Sequence, residues 1–334
     1  MEQQSSTSTP QLPSDQRRLI ARTVAMLVLF GGFVCCVYRP DILTALAIVP
    51  TWLWLLPASA TVIYSWGLKD RRFAWGLLVL WTVFTVCCVE ETVSLTRSIL
   101  RTVKSREPLT SPIRVVTLNC DSISSCVAEL VRIEPDIVLL QESPGADELN
   151  RLTQLLFNGE GHFLSTGDTS ILARGRIDAQ YAERGKHFLI GAVSLMDHPP
   201  IYCVSLRLSP PVARLDFWSS GFWTDHQAMR DKHREQLREV MQVFRETSGA
   251  AACVLGGDFN MTPRDRAFSE LSPDLTDSFL QSGTGLGGTG TNDWPLFRVD
   301  QIWTNDRCRS DHSYTLKWTQ SDHRLIVCEL QLRN

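Results

Sequence analysis

The sequence predicts an α+β globular part preceded by an N-terminal transmembrane helical segment, and two patterns in its 334 residues carry that reading. Before Glu90 stand three uncharged, mostly apolar runs, 23–38, 42–68 and 73–89, of 16, 27 and 17 residues. Beyond Ser111, short apolar stretches of strand length alternate with stretches whose apolar residues recur three and four apart, the mark of mixed strands and helices.

A membrane-spanning helix needs about 20 apolar residues, with about 17 as the lower limit. The middle run meets that outright; the outer two are borderline, and Ile20 and Ala21 lengthen the first. Trp52, Trp54, Trp66, Trp75 and Trp81 include several at the expected interfaces, where the indole is half apolar and half polar. Pro50 and Pro57 kink the second run, which membrane helices tolerate. Two further runs after the first, and no small-residue cleavage site behind it, speak against a cleaved signal peptide. The chain therefore divides into a Ser/Thr/Gln/Pro-rich disordered tail (1–19), a membrane region of three transmembrane helices (20–90), a linker (91–110) and a globular domain (111–334). In the linker, Arg97, Arg101 and Lys104 fall at helical spacing opposite Val93, Leu100 and Val103. That pattern fits an amphipathic segment on the membrane surface or a solvated helical spacer.

Positive charge marks the cytoplasmic side of a membrane. Arg17, Arg18 and Arg22 precede the first run and Lys69, Arg71 and Arg72 separate the second from the third, whereas the connection after the first holds only Arg39. This predicts a multi-pass protein with its globular domain on the exterior face, against the opposing vote of Arg97, Arg101, Lys104 and Arg106. From Ser111 on there are 22 Lys and Arg against 29 Asp and Glu, and all seven histidines. A protein that grips polyphosphate backbones is usually basic, because its affinity comes from neutralising phosphates; this domain is net acidic.

The polar residues at strand ends are the chemical signal. The apolar run 251–255 leads into Gly256-Gly257-Asp258-Phe259-Asn260, so Asp258 and Asn260 emerge on one side of the pleat. The run 113–118 delivers Asn119, and 136–141 delivers Glu142. Asp300 sits in the alternating stretch 298–303, and Ser321-Asp322-His323 precedes the last strand, Leu325–Leu332. Each motif alone has a structural explanation: a turn, a helix cap or a surface residue. Together, in this order, they make residues 111–334 resemble the endonuclease/exonuclease/phosphatase superfamily, the group of DNase I, abasic-site endonucleases, neutral sphingomyelinases and inositol-polyphosphate phosphatases.

The resemblance implies a four-layer α/β/β/α sandwich (DNase I-like). Strand-like runs at 169–173, 188–195 and 201–208 and a long helix near 225–247 suit it. It also implies hydrolysis of phosphodiester or phosphomonoester bonds by metal-assisted attack of water, with Mg2+ or Mn2+ as the cofactor. Glu142 is the expected metal ligand, since magnesium prefers hard carboxylate oxygens; Asn119 assists it and Asp322 supplies a carboxylate nearby or to a second ion. By the resemblance Asp258 orients or deprotonates the water, Asn260 holds the water and a phosphate oxygen, and His323 contacts the scissile phosphate. Asp300 accepts the other ring proton of His323 and raises its pKa. One departure stands out: the family commonly has a histidine where this chain has Arg207. Arginine cannot give up a proton at neutral pH, yet its forked donors suit a phosphate.

The expected partners are the membrane and a phosphate-ester substrate, nucleic acid or lipid headgroup; no protein partner is inferable. Acidity weighs against a nuclease, anchoring favours a sphingomyelinase-like lipid phosphodiesterase, and the completeness of the motifs weighs against an inactive membrane-tethered binding module. The loop 215–223 carries four aromatics, which fits core packing first and a lipid-touching or substrate-stacking surface second. The Gly-rich stretch 283–290 reads as a flexible lip of the cleft, and Arg230, Arg234 and Gln236 as structural. No Cys/His zinc spacing occurs.

Overall fold

A computed structural model of the chain describes residues 13–103, 112–121, 127–196, 198–214, 216–318 and 320–333. The chain forms two compact units, one from residues up to Tyr38 together with Thr51–Val89, the other from Arg39–Pro50 together with Glu90–Asn334.

In the first unit, α1 (Ser14–Phe33) runs on through the turn Val34–Tyr38. Residues 14–19, expected in the disordered tail, are helical because Arg18 donates to the Leu68 carbonyl and Arg22 pairs with Asp70 at 2.7 Å; residues 1–12 of that tail lie outside the described residues. The middle apolar run is not one helix. It breaks into a turn at Asp41–Leu43, the short α2 (Thr44–Ala47) and a turn at Thr51–Trp54 before α3 (Leu55–Gly67). Pro50 stops the chain between these pieces, whereas Pro57 falls in the first turn of α3, where no intrahelical N–H is needed. At 13 residues α3 is too short to span. The expectation of three spans gives way, among the described residues, to two helices long and apolar enough to cross a membrane, Ser14–Tyr38 and α4 (Arg71–Cys88). Ala25, Ala58, Leu77, Trp81 and Phe84 pack together, but only 28% of each span's most apolar window is buried. Phe30, Ile63, Trp75 and Val79 point outward, and a helix apolar on all sides is at home in lipid or in a large core.

The second unit opens with α5 (Glu90–Val103). There follow β1 (Ile113–Asn119), α6 (Val127–Ile133), β2 (Ile137–Gln141), α7 (Ala146–Leu156), β3 (His162–Ser165), β4 (Thr169–Ala173), β5 (Arg176–Tyr181), β6 (Phe188–Ser194) and β7 (Ile201–Arg207). The chain ends with α8 (Ser220–Ser248), β8 (Ala252–Asp258), β9 (Thr276–Asp277), α9 (Ser278–Ser282), β10 (Asp300–Thr304), β11 (Cys308–Leu316) and β12 (Leu325–Leu332). One sheet has the order β11-β12-β1-β2-β4-β3 and the other β5-β6-β7-β8-β10-β9.

Side-chain alternation along each strand builds the layers. Val115, Ile137, Leu139, Leu189, Cys203, Val254 and Ile302 meet between the sheets. The next residue of each strand turns outward: Val116, Val138 and Leu140 onto Leu130, Leu149 and Leu152 of α6 and α7, and Ile190, Val204 and Leu255 onto α8. In α8 the inward residues Leu237, Val240, Met241 and Phe244 recur at helical spacing. Both faces of both sheets are thus covered, which explains why the central strands read as near-continuous apolar runs. The result is the expected α/β/β/α sandwich.

Two segments outside 111–334 belong to this unit. Asp41 accepts from Arg230 (3.1 Å) and Arg234 (3.2 Å) of α8, and the Arg230 guanidinium, fully buried, also pairs with Asp265. In α5, Arg97 donates to the Leu280 carbonyl (2.6 Å), Ser94 to the Gly285 carbonyl (2.6 Å) and Arg101 to the Asp311 carbonyl (3.2 Å). The linker helix packs on the domain by its basic side, an orientation the sequence did not assign, and Leu95, Ile99 and Leu100 are exposed. Backbone carbonyls left over by α9 and its following loop attract the guanidinium donors. Glu90 and Asp277 both accept from the buried Arg298 Nη2, at 2.6 and 2.7 Å.

Candidate active site

Parallel pairing gathers the strand ends on one rim. β1 runs parallel to β2 with Asn119 beside Gln141, and β7 runs parallel to β8 with Arg207 beside Asp258. β10 is antiparallel to β8, so its first residue, Asp300, lies opposite Asp258. The turn before β12 carries His323 to the same place, where the Ser321 hydroxyl donates to the Asn119 carbonyl (2.8 Å) and accepts from the His323 N–H (3.0 Å). Beneath the rim a buried polar ladder joins the sheets: Thr117 donates to Gln141, Gln141 to Ser205, and Ser205 to the Leu140 carbonyl.

Local backbone geometry fits these exits. Glu142 and Asn260 have φ of 46° and 52°, left-handed values that non-glycine residues hold only under constraint and that collect at functional sites. A Cβ on Gly257 would fall 1.9 Å from the Leu206 carbonyl oxygen, so only glycine lets β8 lie this close to β7 before Asp258.

Asn119 and Asp258 link the two halves of the site. The Asn119 amide donates to Glu142 Oε1 and to Asp258 Oδ2, both at 3.1 Å. Asn260 donates to Asp258 from its backbone N–H (2.9 Å) and its side-chain amide (3.2 Å). His323 Nδ1 lies 2.7 Å from Asp300 Oδ2. Asp300 is 0% and Asp258 2% exposed, and donor atoms of Asp258, Asp300 and His323 lie within 4.8 Å of one another. Glu142 is more open, with its side chain 26% exposed. Asp322 stands apart at 77%, its carboxylate 3.9 Å from His323 Nε2.

Burial pushes the Asp258 carboxyl up to about 7, with the neighbouring Asp300 charge adding to the rise and His323 opposing it. Burial alone would lower His323, but the charge and hydrogen bond of Asp300, with Asp258 and Asp322 behind them, outweigh it and hold the imidazole up at about 10. Two carboxylates near one imidazolium leave the pocket short of positive charge, and the buried Asp300 Oδ1 has no hydrogen-bond partner. That hard, oxygen-rich surplus of negative charge fits a divalent cation such as Mg2+ or Mn2+.

Arg207 completes the rim in a way the sequence did not foretell. Its Nη2 donates to Glu142 Oε1 at 2.7 Å and its Nη1 reaches Asp168 at 3.4 Å. Asp168 belongs to the turn between β3 and β4 and carries no motif; only its place in the Ser-Thr-Gly-Asp turn 165–168 hinted at it. Thr289 was missed as well. Its hydroxyl oxygen accepts from the Val299 and Asp300 N–H groups, each at 3.0 Å, and so fixes the start of β10.

A family model described as the Endonuclease/Exonuclease/phosphatase family matches residues 116–323, a span that holds every residue of this rim. Among solved structures, an endonuclease/exonuclease/phosphatase from Beutenbergia cavernae aligns with a TM-score of 0.51 and 19% identity, over 67% of this chain and 72% of that one. One from Bacteroides vulgatus aligns with a TM-score of 0.50 and 13% identity, over 67% of this chain and 100% of that one. A mannosyl-6-phosphatase from Bacteroides thetaiotaomicron gives 0.50 and 14%, over 66% and 100%. These likenesses speak for the fold, and no curated protein matches the chain. Since the model spans more than half of the sequence and the sandwich is the one its strand order builds, the chain belongs to the endonuclease/exonuclease/phosphatase family.

Proposed function

We propose that this protein is a membrane-anchored, divalent-metal-dependent phosphodiesterase whose substrate is a lipid or lipid-headgroup phosphodiester. The observation that carries the hydrolytic reading is the His323–Asp300 pair set against the buried Asp258 carboxyl on one rim. Mg2+ or Mn2+ held by Glu142 and Asn119 would draw charge from the phosphate oxygens, which otherwise repel a nucleophile. Asp258, with its pKa raised to about 7, is suited to take a proton from water near neutrality. Asn260 donates to Asp258 and orients it, leaving the Asp258–Asn260 edge to position the water. His323, kept protonated by Asp300, donates from Nε2 to the phosphate and its leaving oxygen. Asp322 adds charge on the solvent side of that imidazolium, and its exposure suits this electrostatic part better than ion binding. Arg207 offers a fixed positive charge to the phosphate where an acid–base group could have stood.

The lipid reading rests on exposed aromatics in two connections that lead away from rim residues. Phe217 and Trp218 stand outward in the connection after Arg207, 65% and 78% exposed and edge to face, while Phe222 of the same stretch is buried. The expected core packing thus holds for only part of this loop. Trp294, 77% exposed, lies in the loop whose Gly290 bridges to His323. Large exposed aromatics are costly in water and useful at a lipid interface. The two long apolar helices supply the anchor. Two spans instead of three return the chain to its starting side, so Arg17, Arg18 and Arg22 with Arg97 and Arg101 favour a cytoplasmic globular unit, and the exterior placement expected from three spans is given up. An exterior-only reporter fused after Asn334 should stay silent, and an active one rejects this placement.

The substrate test uses the full chain in neutral detergent with Mn2+, because Arg39–Pro50 and α5 are part of the catalytic unit. Sphingomyelin, single-stranded DNA, duplex DNA and bis-(4-nitrophenyl) phosphate are compared at equal concentration. Faster turnover of sphingomyelin than of either DNA supports the lipid reading; faster cleavage of DNA replaces it with a nuclease.

A further inference from the structure

Asp168 stands at the rim outside the hydrolytic steps. It sits at the tip of the hairpin joining β3 to β4, and that tip is firmly built. The Thr166 N–H donates to the Thr169 carbonyl (3.0 Å) and the Gly167 N–H to the Ser165 hydroxyl (3.1 Å), while Gly167 has a φ of 105° that favours glycine. β2 and β4 are antiparallel with Gln141 across from Thr169, so one residue further on Glu142 and Asp168 leave the sheet side by side. The Ser143 N–H, donating to the Asp168 carbonyl at 3.0 Å, keeps them there. Two carboxylates facing each other across a strand pair repel, and Arg207 lies between them. Its Nη2 is 2.7 Å from Glu142 and its Nη1 3.4 Å from Asp168, a full charge-assisted bond on one side and a long contact on the other. The Arg207 Nε is buried and has no hydrogen-bond partner among the described residues. The guanidinium is thus held by its outer nitrogens, and turning it breaks no bond at the Nε.

We propose that Asp168 is a second seat for the Arg207 guanidinium, taken up when a divalent cation occupies Glu142. A guanidinium and a divalent cation repel each other at one carboxylate, so the ion displaces Arg207 from Glu142. An arginine released into solvent would spread over many rotamers. Asp168 keeps it at the rim instead, bound through Nη1, with Nη2 open to a phosphate oxygen. Asp168 is therefore a positioning residue that acts through Arg207. Its carboxylate both eases the entry of the ion and aims the guanidinium that the ion has freed. The inference rests on the metal-dependent hydrolysis proposed above and is independent of whether the substrate is lipid or nucleic acid.

The experiment is a double-mutant cycle on the full chain in neutral detergent, comparing the wild type, Asp168→Asn, Arg207→Ala and the double variant. Mn2+ affinity is read by calorimetry, without turnover. Asp168→Asn leaves Arg207 to Glu142 alone and should weaken Mn2+ binding. A carboxylate acting on the ion only through space would weaken it equally once Arg207 is removed. A seat for Arg207 makes the loss about 3-fold or more larger with Arg207 present than without it. The second readout is kcat/KM for bis-(4-nitrophenyl) phosphate at saturating Mn2+. Asp168→Asn should lower it by about 3-fold or more when Arg207 is present and add no further loss when Arg207 is alanine. The main-chain bonds of the hairpin survive this substitution, and any damage to the fold would appear in both backgrounds. Equal losses with and without Arg207 overturn the proposal whatever their size, and so does a chain that binds no Mn2+. In a chain that hydrolyses, absence of either coupling overturns it as well. Coupling in Mn2+ affinity without hydrolysis keeps the seat and sinks the hydrolytic reading; hydrolysis with equal losses sinks the seat alone.

Discussion

Arg207 and Glu142 hold opposite charges 2.7 Å apart at the open side of the rim, and a cation drawn to Glu142 meets the guanidinium first. Charges at this range, partly exposed, interact by roughly 1–4 kcal/mol at the effective dielectric of a protein surface. Arg207→Ala is therefore expected to tighten Mn2+ binding by at least about 5-fold in calorimetry while slowing turnover; unchanged affinity would show that the pair opens at no cost. His323 gives a second prediction at this scale. Its folded pKa of about 10 is above the unfolded value, so its pairing stabilises the metal-free protein fully below about 6.5 and less as pH rises towards 10. Asp300→Asn should bring the imidazole titration, followed by NMR, down below pH 7; a midpoint still near 10 would mean that Asp300 is not its cause. Asn119, Glu142, Asp258 and Asn260 were legible in the sequence because each sits where an apolar run ends, and Asp300 and His323 because each stands at or just before the start of a strand-like stretch. Asp168 and Thr289 act through a turn and a hydroxyl, which have no periodic pattern to mark them.

At the scale of elements, β1, β2, β7, β8 and β12 could be read because helices or the opposite sheet cover both their faces. β5 and β11 could not: Arg176–Tyr181 is largely exposed at a sheet edge and Cys308–Leu316 is rich in polar residues, so neither shows the apolar run or clean alternation that signals a strand. The middle membrane run misled for the opposite reason, since its composition is apolar throughout while Pro50 and the pairing of Asp41 with Arg230 break its path. The linker's helical spacing was legible, but nothing in it told which side would pack on the domain, and that side is the basic one. The ion cluster of Glu90, Arg298 and Asp277 ties α5 to the approach to β10. Removing one member strands buried charge at a cost of about 3–5 kcal/mol. Arg298→Met should therefore lower the Tm of this unit by roughly 6–15 °C, and a shift under 2 °C would mean that α5 is held by its carbonyl contacts alone.

Over the whole molecule, the proposed reading of a hydrolase working at a membrane depends first on the rim being catalytic. The direct test is hydrolysis of bis-(4-nitrophenyl) phosphate by the full chain, with Mg2+ or Mn2+ and then with EDTA, for the wild type and for Glu142→Gln, Asp258→Asn and His323→Ala. Each substitution removes one electrostatic or proton-transfer group, so each should lower kcat by at least about 100-fold, and EDTA should abolish turnover until metal is restored. Full activity in EDTA, or wild-type kcat in any of the three variants, would contradict the account.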